Sequence, residues 1–146
     1  MENHPFKIDI DYIQPGVVHF EDNIDSSFYL IEGRDKALLI DTGCGGGNVR
    51  RLASAFTDKE IDLAVTHAHG DHDAHAGEFD RVYMHRADIE LRRAAQLCAP
   101  EEKRLDVDRF LALEDGALLD LGGGAVVRTL HIPGHTPGSV AFVDEA

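Results

Sequence analysis

Short apolar runs separated by turn residues fill the first part of the chain. Residues 17–20, 27–31 and 37–40 are predominantly apolar, and turn-forming residues such as Asp22-Asn23 lie between them. This arrangement is typical of strands joined by tight turns, so it predicts a β-meander. A further apolar run at residues 61–65 predicts a buried strand.

Other segments repeat their apolar residues at helical spacing. Asn48 is a candidate N-cap, and after it apolar residues recur on one helical face at positions 49, 52, 53 and 56. Residues 88–98 carry a similar stripe, which ends at Pro100 because proline cannot continue a helix. A further helix is predicted over residues 101–111.

Strands return in the last part of the chain, with a glycine turn at residues 122–124. They are predicted at residues 117–121, 125–131 and 139–143, and one earlier strand is predicted at residues 82–85, before the helical stripe. Because strands and helices are mixed along the chain, the predicted fold class is α/β or α+β. With 146 residues, 43% of them hydrophobic, and no low-complexity linker, the chain is expected to form a single domain over residues 1–146.

The charge balance disfavours an anionic partner. The chain has 14 basic and 27 acidic residues and a formal net charge of −13, which opposes binding to nucleic acid or to a membrane surface. It has neither an N-terminal targeting pattern nor an apolar stretch long enough to cross a bilayer. We therefore expect a cytoplasmic protein whose partner is a small-molecule substrate.

The cysteines do not form a ligand set of their own. Only Cys44 and Cys98 occur, and they are too few and too distant in sequence for a disulfide framework or a thiolate zinc site. Any metal is therefore expected to be held by nitrogen and oxygen. Cys44 is interpreted as a small buried thiol.

A histidine cluster follows the predicted strand at residues 61–65. Four of the nine histidines lie within residues 67–75, in a run that reads His-x-His-x-Asp-His. In extended backbone His67 and His69 point the same way, and Gly70 permits a sharp turn after them. Imidazole and carboxylate ligands suit zinc, and iron or manganese also accept them. A solvated histidine-rich loop is the alternative, but alternating clustered histidines are more typical of metal ligation.

Three motifs together resemble those of the metallo-beta-lactamase superfamily. The first is the His-x-His-x-Asp-His run after an apolar strand. The second, Asp41-Thr42-Gly43, follows the predicted strand at 37–40 and is similar to the family's D-T-G turn. The third is the Pro-Gly-His-Thr-Pro-Gly-Ser run at residues 133–139. The resemblance implies the αββα sandwich of that family.

The resemblance also implies roles for individual residues. The implied metal ligands are His67, His69, Asp71, His72 and His135. The histidines at 67, 69 and 135 would hold a first ion, and the residues at 71 and 72 a second. Asp41 would support the metal loop from outside the ligand set. Asp71 would orient the attacking water and relay its proton. His75 is expected to be a surface or supporting residue and His131 a structural one, while His4, His19 and His85 receive no functional role.

The resemblance implies a zinc-dependent hydrolase with one or two ions per chain. A metal-bound hydroxide would cleave an ester, thioester, lactone or amide bond. One alternative is a mononuclear iron oxygenase similar to persulfide dioxygenases. Another is a truncated metal-binding module with little activity.

The chain departs from the family pattern in its last residues. The family draws a bridging aspartate and a further histidine from its second half, whereas only Asp144 and Glu145 are acidic after His135, and no histidine follows it. We therefore expect the N-terminal part of a longer enzyme, with the second half of the sandwich incomplete. Apolar sheet surface is then expected to be exposed unless missing sequence, rearrangement or a second copy in a homo-oligomer covers it.

Overall fold

A computed structural model of the chain describes residues 7–24 and 26–145, so that His4 lies outside the described residues. Seven strands form the larger sheet: β1 (Ile8–Gln14), β2 (Val17–Asp22), β3 (Ser27–Glu32), β4 (Ala37–Ile40), β5 (Ile61–Ala64), β6 (Val82–His85) and β7 (Leu111–Leu113). They lie side by side in sequence order. The pairs from β1 to β4 are antiparallel, and those from β4 to β7 are parallel. The predicted meander and the strand that follows it are confirmed.

The smaller sheet comes from the last part of the chain. It contains β8 (Leu118–Gly122), β9 (Ala125–His131) and β10 (Val140–Asp144), in the antiparallel order β10-β9-β8. The glycine turn between β8 and β9 lies at the predicted position, and Gly122, Gly123 and Gly124 all have positive φ.

The α-helices are short and follow strands of the larger sheet. They are α1 (Val49–Ala53), α2 (Gly70–Asp73) and α3 (Arg86–Ala95). The Asn48 side chain accepts a hydrogen bond from the backbone N–H of Arg51, which confirms it as the N-cap of α1. No helix in the part of the chain that the structure describes is long and apolar enough to cross a membrane.

Two apolar cores separate three layers. One core lies between the helices and the larger sheet, where Val49 of α1 and Ile89 of α3 pack with Leu39 and Leu63. The other lies between the two sheets, where Leu38 meets buried residues of the smaller sheet. The layers are thus helix, sheet and sheet. This arrangement confirms the expected α/β fold class, with three of the four layers of the αββα sandwich formed by the described residues. Leu118 and Leu130 of the smaller sheet are 60% and 38% exposed.

The predicted helix over residues 101–111 is wrong. Two single-turn 3-10 helices, Glu101–Lys103 and Val107–Arg109, occupy that segment, and β7 begins at Leu111. The Gln96 side chain hydrogen-bonds both the N–H and the carbonyl of Leu105, at 3.0 Å and 2.8 Å, and so holds the backbone between the two turns away from helical pairing. Strand β7 then pairs in parallel with β6. Bonds to distant partners therefore replace the local helical ones.

Strand β1 was not predicted from the sequence because its side chains are mostly exposed. Polar residues such as Asp9 and Asp11 alternate with apolar ones in the period of a strand, but neither face of β1 is buried. The strand exists because its backbone pairs with β2, from Ile8 opposite Asp22 onward. Edge strands of this kind are specified by their neighbour more than by their own hydrophobic pattern.

Packing between the two sheets can be tested by removing one methyl group. Ile31 is 8% exposed in the core between the sheets, whereas Ile132 is 54% exposed after β9. We expect Ile31→Val to lower the free energy of unfolding by about 0.5–1.5 kcal/mol because it leaves a small cavity. Ile132→Val should leave it unchanged. Urea unfolding of the two variants beside the wild type makes the measurement, and equal effects would contradict the layer assignment.

Candidate metal centre

The predicted site residues lie at the carboxyl ends of parallel strands. Asp41 follows β4 and His67 follows β5 by a few residues, while α3 follows β6 directly. Because parallel strands end at the same edge of a sheet, these segments meet there, as ligand sites in open α/β sheets commonly do. The loop between β9 and β10 carries His135 to the same edge.

Three histidines converge at this edge. One ring nitrogen from each of His67, His69 and His135 lies within 4.8 Å of the other two. His69 Nδ1 is 3.0 Å from His135 Nε2, although 66 residues separate the two in sequence. The rings meet edge to face, with interplanar angles of 76° to 89°. Nitrogen atoms so arranged can share one cation.

The hydrogen bonds around His67 engage Nδ1 of its ring and leave Nε2 without a hydrogen-bond partner among the described residues. The Thr66 hydroxyl lies 2.7 Å from Asp41 Oδ2 and 3.0 Å from His67 Nδ1. An ionised carboxylate only accepts, so the hydroxyl donates its one proton to Asp41 and accepts from His67 Nδ1–H. Nε2 is then unprotonated, and it is buried with no hydrogen-bond partner among the described residues. A buried acceptor without a partner costs roughly 1–3 kcal/mol, and a bound metal ion would supply the missing interaction.

The protonation state of His67 also suits a metal ligand. Burial lowers the pKa of His67, and the neighbouring His72 ring lowers it further. The imidazole is therefore neutral near pH 7, which is the form that binds metals.

Asp71 and His72 lie beside the three histidines. They are not part of the group whose ligand atoms all lie within 4.8 Å of one another. Both are on α2, which starts immediately after His69. His72 Nδ1 is 2.8 Å from Asp41 Oδ2, and its ring centroid is 4.0 Å from that of His67. The hydrogen bond to Asp41 is the main cause of the raised pKa of His72. With Nδ1 donating to Asp41, the lone pair of His72 Nε2 faces Asp71 Oδ2 at 3.2 Å, an approach that a proton or a cation would favour.

The Asp41 carboxylate accepts hydrogen bonds from the segment before His67 and from α2. It is 4% exposed, and its Oδ1 accepts a hydrogen bond from the backbone N–H of Thr66 at 2.7 Å, while Oδ2 accepts from Thr66 and His72. Its φ of 61° makes it the one non-glycine residue of the described segments with positive φ. Such a conformation is tolerated where the surrounding contacts over-determine it. Asp41 thus bonds Thr66, which precedes His67, and His72 on α2.

Three further histidines of the described residues, His75, His85 and His131, have structural partners. His75 lies 2.8 Å from Glu78 Oε1 through Nδ1 and 2.9 Å from the Gly45 carbonyl through Nε2. His131 stacks on His85 with ring centroids 4.0 Å apart, and its Nε2 donates to the Pro137 carbonyl.

The interpretation of Cys44 as a buried thiol is wrong. Cys44 is exposed, as is Cys98. Cys44 begins a surface loop, residues 44–48, in which Gly47 has a positive φ and only Gly45 is partly buried. The pKa of the Cys44 thiol is raised. Partial burial is the main cause, and the carboxylates of Asp22 and Asp71 raise the pKa further.

Sequence reasoning missed Asp88. It lies in the first turn of α3, where an acidic residue is ordinary because it complements the helix dipole. In the structure Asp88 is 0% exposed and contacts both loops that carry the converging histidines. No spacing in the sequence gives this, because its partners lie 20 to 50 residues away.

Comparison with known proteins finds a family match over most of the chain. A family model described as the metallo-beta-lactamase superfamily matches residues 22–146. A hydroxyacylglutathione hydrolase of Pseudomonas putida is 29% identical over 123 residues, covering 83% of this chain and 43% of that protein. The acyl-coenzyme A thioesterase MBLAC2 of Homo sapiens is 26% identical over 158 residues, covering 86% of this chain and 56% of that protein. The chain thus spans about half the length of these relatives.

Solved structures agree with the fold. A metallo-beta-lactamase from Cronobacter sakazakii, a mutant in its HARLDQ motif, superposes with a TM-score of 0.72 at 24% identity. The superposition covers 93% of this chain and 59% of that one. At this level of identity the likeness concerns the fold alone.

Proposed function

The chain belongs to the metallo-beta-lactamase superfamily, and from that premise we propose that it carries the centre of a zinc-dependent hydrolase. The substrate would contain an ester, thioester, lactone or amide bond. The observation that carries the proposal is the convergence of three histidine nitrogens on one point, with the buried His67 Nε2 lacking any other partner among the described residues.

Zinc is the metal that the donor set favours. Three imidazoles without a thiolate form a typical catalytic zinc site, in which a fourth position stays open for water or substrate. When bound there, zinc would supply Lewis-acid polarisation and a nucleophile at neutral pH. The tautomer of His67 that Thr66 and Asp41 favour leaves Nε2 unprotonated, which is the form that would bind the ion. One ion would lie at His67, His69 and His135.

A second ion would lie at Asp71 and His72. His72 Nε2 and Asp71 Oδ2 lie 3.2 Å apart, so a cation that replaced the proton between them could be bound by both side chains. The hydrogen bond from His72 Nδ1 to Asp41 holds the ring in the orientation that this requires. Such outer partners commonly fix the ring of a ligating histidine.

Asp71 is the proposed catalytic residue. Its side chain is 53% exposed, so substrate and water can reach the carboxylate, unlike the buried Asp41 behind it. The carboxylate can accept a hydrogen bond from the attacking water, orient it and take its proton.

Thioesters are the first substrates to test. The names of two relatives, hydroxyacylglutathione hydrolase and acyl-coenzyme A thioesterase, refer to thioester cleavage in those proteins. A small acyl thioester is therefore the favoured class for this chain.

Metal analysis of the purified protein, joined to a hydrolysis screen, tests the proposal. We expect one or two zinc ions per chain, together with cleavage of small acyl thioesters that stops when a chelator removes the metal and returns when zinc is added. Iron with oxygen uptake would support an oxygenase instead. A protein that binds no metal after incubation with zinc would contradict the proposal.

A further inference from the structure

Asp88 connects the two loops that bring the three histidines together. Its Oδ2 accepts hydrogen bonds from the backbone N–H of Ala68, at 2.8 Å, and from the Thr136 hydroxyl, at 2.7 Å. Its Oδ1 accepts from the backbone N–H of Gly138, at 2.7 Å. Ala68 lies between His67 and His69, and Thr136 directly follows His135. One carboxylate thus bonds a neighbour of each histidine in the group.

The loop between β9 and β10 is shaped to reach this carboxylate. A Cβ atom added at Gly138 would lie 2.7 Å from both the backbone nitrogen and Oδ1 of Asp88, so only glycine permits the approach. The Ser139 hydroxyl lies 2.8 Å from Thr136 Oγ1, and since Thr136 donates to Asp88, Ser139 donates to Thr136. Two donors of this loop, the Thr136 hydroxyl and the Gly138 N–H, therefore point toward the buried Asp88 carboxylate.

Helix α3 provides a rigid base for this carboxylate. One turn after Asp88, the Arg92 guanidinium pairs with Asp73, a residue of α2 that is 1% exposed. Residues four apart lie on one face of a helix, so the same face of α3 holds α2 as well as the two loops. The helix itself is fixed by Ile89, which is buried against the larger sheet.

From these contacts we infer that Asp88 is a positioning residue, which sets the distance between His135 and the His67–His69 pair and thereby the affinity of the metal centre. This inference rests on the proposed function, because it concerns the same three ligands. Asp88 would not itself be a ligand, because it bonds Ala68 and Thr136, which are the chain neighbours of the three histidines. Removal of such an outer partner typically weakens metal binding about 10–100-fold.

The Asp88→Asn variant tests the inference with little change of shape. The amide can keep one oxygen as an acceptor but must turn its NH₂ group toward a donor, either Gly138 N–H or the pair Ala68 and Thr136. We expect the Kd for zinc, measured by competition with a chromophoric chelator, to rise about 10–100-fold. The visible absorption spectrum of the cobalt-substituted protein, which reports ligand geometry, should shift as well.

Asp62→Asn is the matched control. Asp62 is also buried, at 2% exposed, and its partners are Lys36 and Arg81 rather than the ligand loops. This variant should lose stability toward urea yet keep the zinc Kd within about twofold and the cobalt spectrum unchanged.

Thr136→Val keeps the test decisive if Asp88→Asn does not fold. It removes the hydroxyl donor alone, and we expect the zinc Kd to rise, but less than in Asp88→Asn. If both variants fold, the double variant should bind zinc about as weakly as Asp88→Asn, because contacting residues are not additive. If the wild type binds zinc and the variants bind it with the same Kd, the inference about Asp88 is overturned and the proposed function stands. A wild type that binds no zinc would overturn the proposed function together with it.

Discussion

The His67→Ala variant is expected to lose the metal from the three-histidine group and to hydrolyse thioesters about 10³-fold more slowly or worse. A metal ion supplies several kcal/mol of transition-state stabilisation, and each ~1.4 kcal/mol is a factor of ten in rate. His67 is the most buried of the three converging histidines, and its Nε2 has no hydrogen-bond partner among the described residues. The two ligands that remain, His69 and His135, leave the group incomplete.

Elemental analysis of the variant beside the wild type makes the measurement, followed by thioester hydrolysis at equal protein concentration. His19→Ala is the control, because His19 is partly buried but contacts Ser27 and Tyr29 instead of the ligand group. It should keep both the zinc and the activity of the wild type. Wild-type zinc content in His67→Ala would show that the ion is held elsewhere.

The Asp71→Asn variant is expected to lower kcat by about 10²–10⁴-fold while the zinc at the three histidines is retained. General acid–base catalysis contributes about that much, and asparagine cannot take a proton from the attacking water. The substitution nearly preserves the shape of the side chain, and Asp71 is not among the three mutually close donors. The loss therefore falls on the chemical step more than on the first ion.

Steady-state kinetics with saturating thioester, together with zinc content, distinguishes the effects. Asp58→Asn is the control, since Asp58 is 93% exposed and pairs with Lys59 instead of the ligand group. It should leave kcat unchanged. If Asp71→Asn also reduces two zinc ions to one, Asp71 is a ligand of the second ion as well. An unchanged kcat would remove Asp71 from the catalytic role.

Much of the candidate centre could be predicted from the sequence because most of its residues lie close together along the chain. His67 and His69 alternate along extended backbone, so their placement on one side follows from strand geometry alone. The meander and the strand before the motif follow from short apolar runs between turn residues. The motif around His135 supplied the third ligand only by resemblance, since nothing in its own spacing points toward residues 66 positions away.

The tertiary structure decided which distant segments meet. Strands β1 and β7 exist because β2 and β6 offer them backbone partners, not because of their own hydrophobic patterns. Residues 101–111 carry helix-forming composition, yet the Gln96 side chain and the free edge of β6 supplied better-placed hydrogen bonds.

The same division holds for the site. The sequence by itself determined which side chains are candidate metal ligands, because residue type and short-range spacing are properties of consecutive residues. Only the folded chain placed Asp88 beneath both ligand loops, since its three donors come from segments 20 to 50 residues away. A buried carboxylate requires such partners, and the packing of α3 on the sheet brings them within reach.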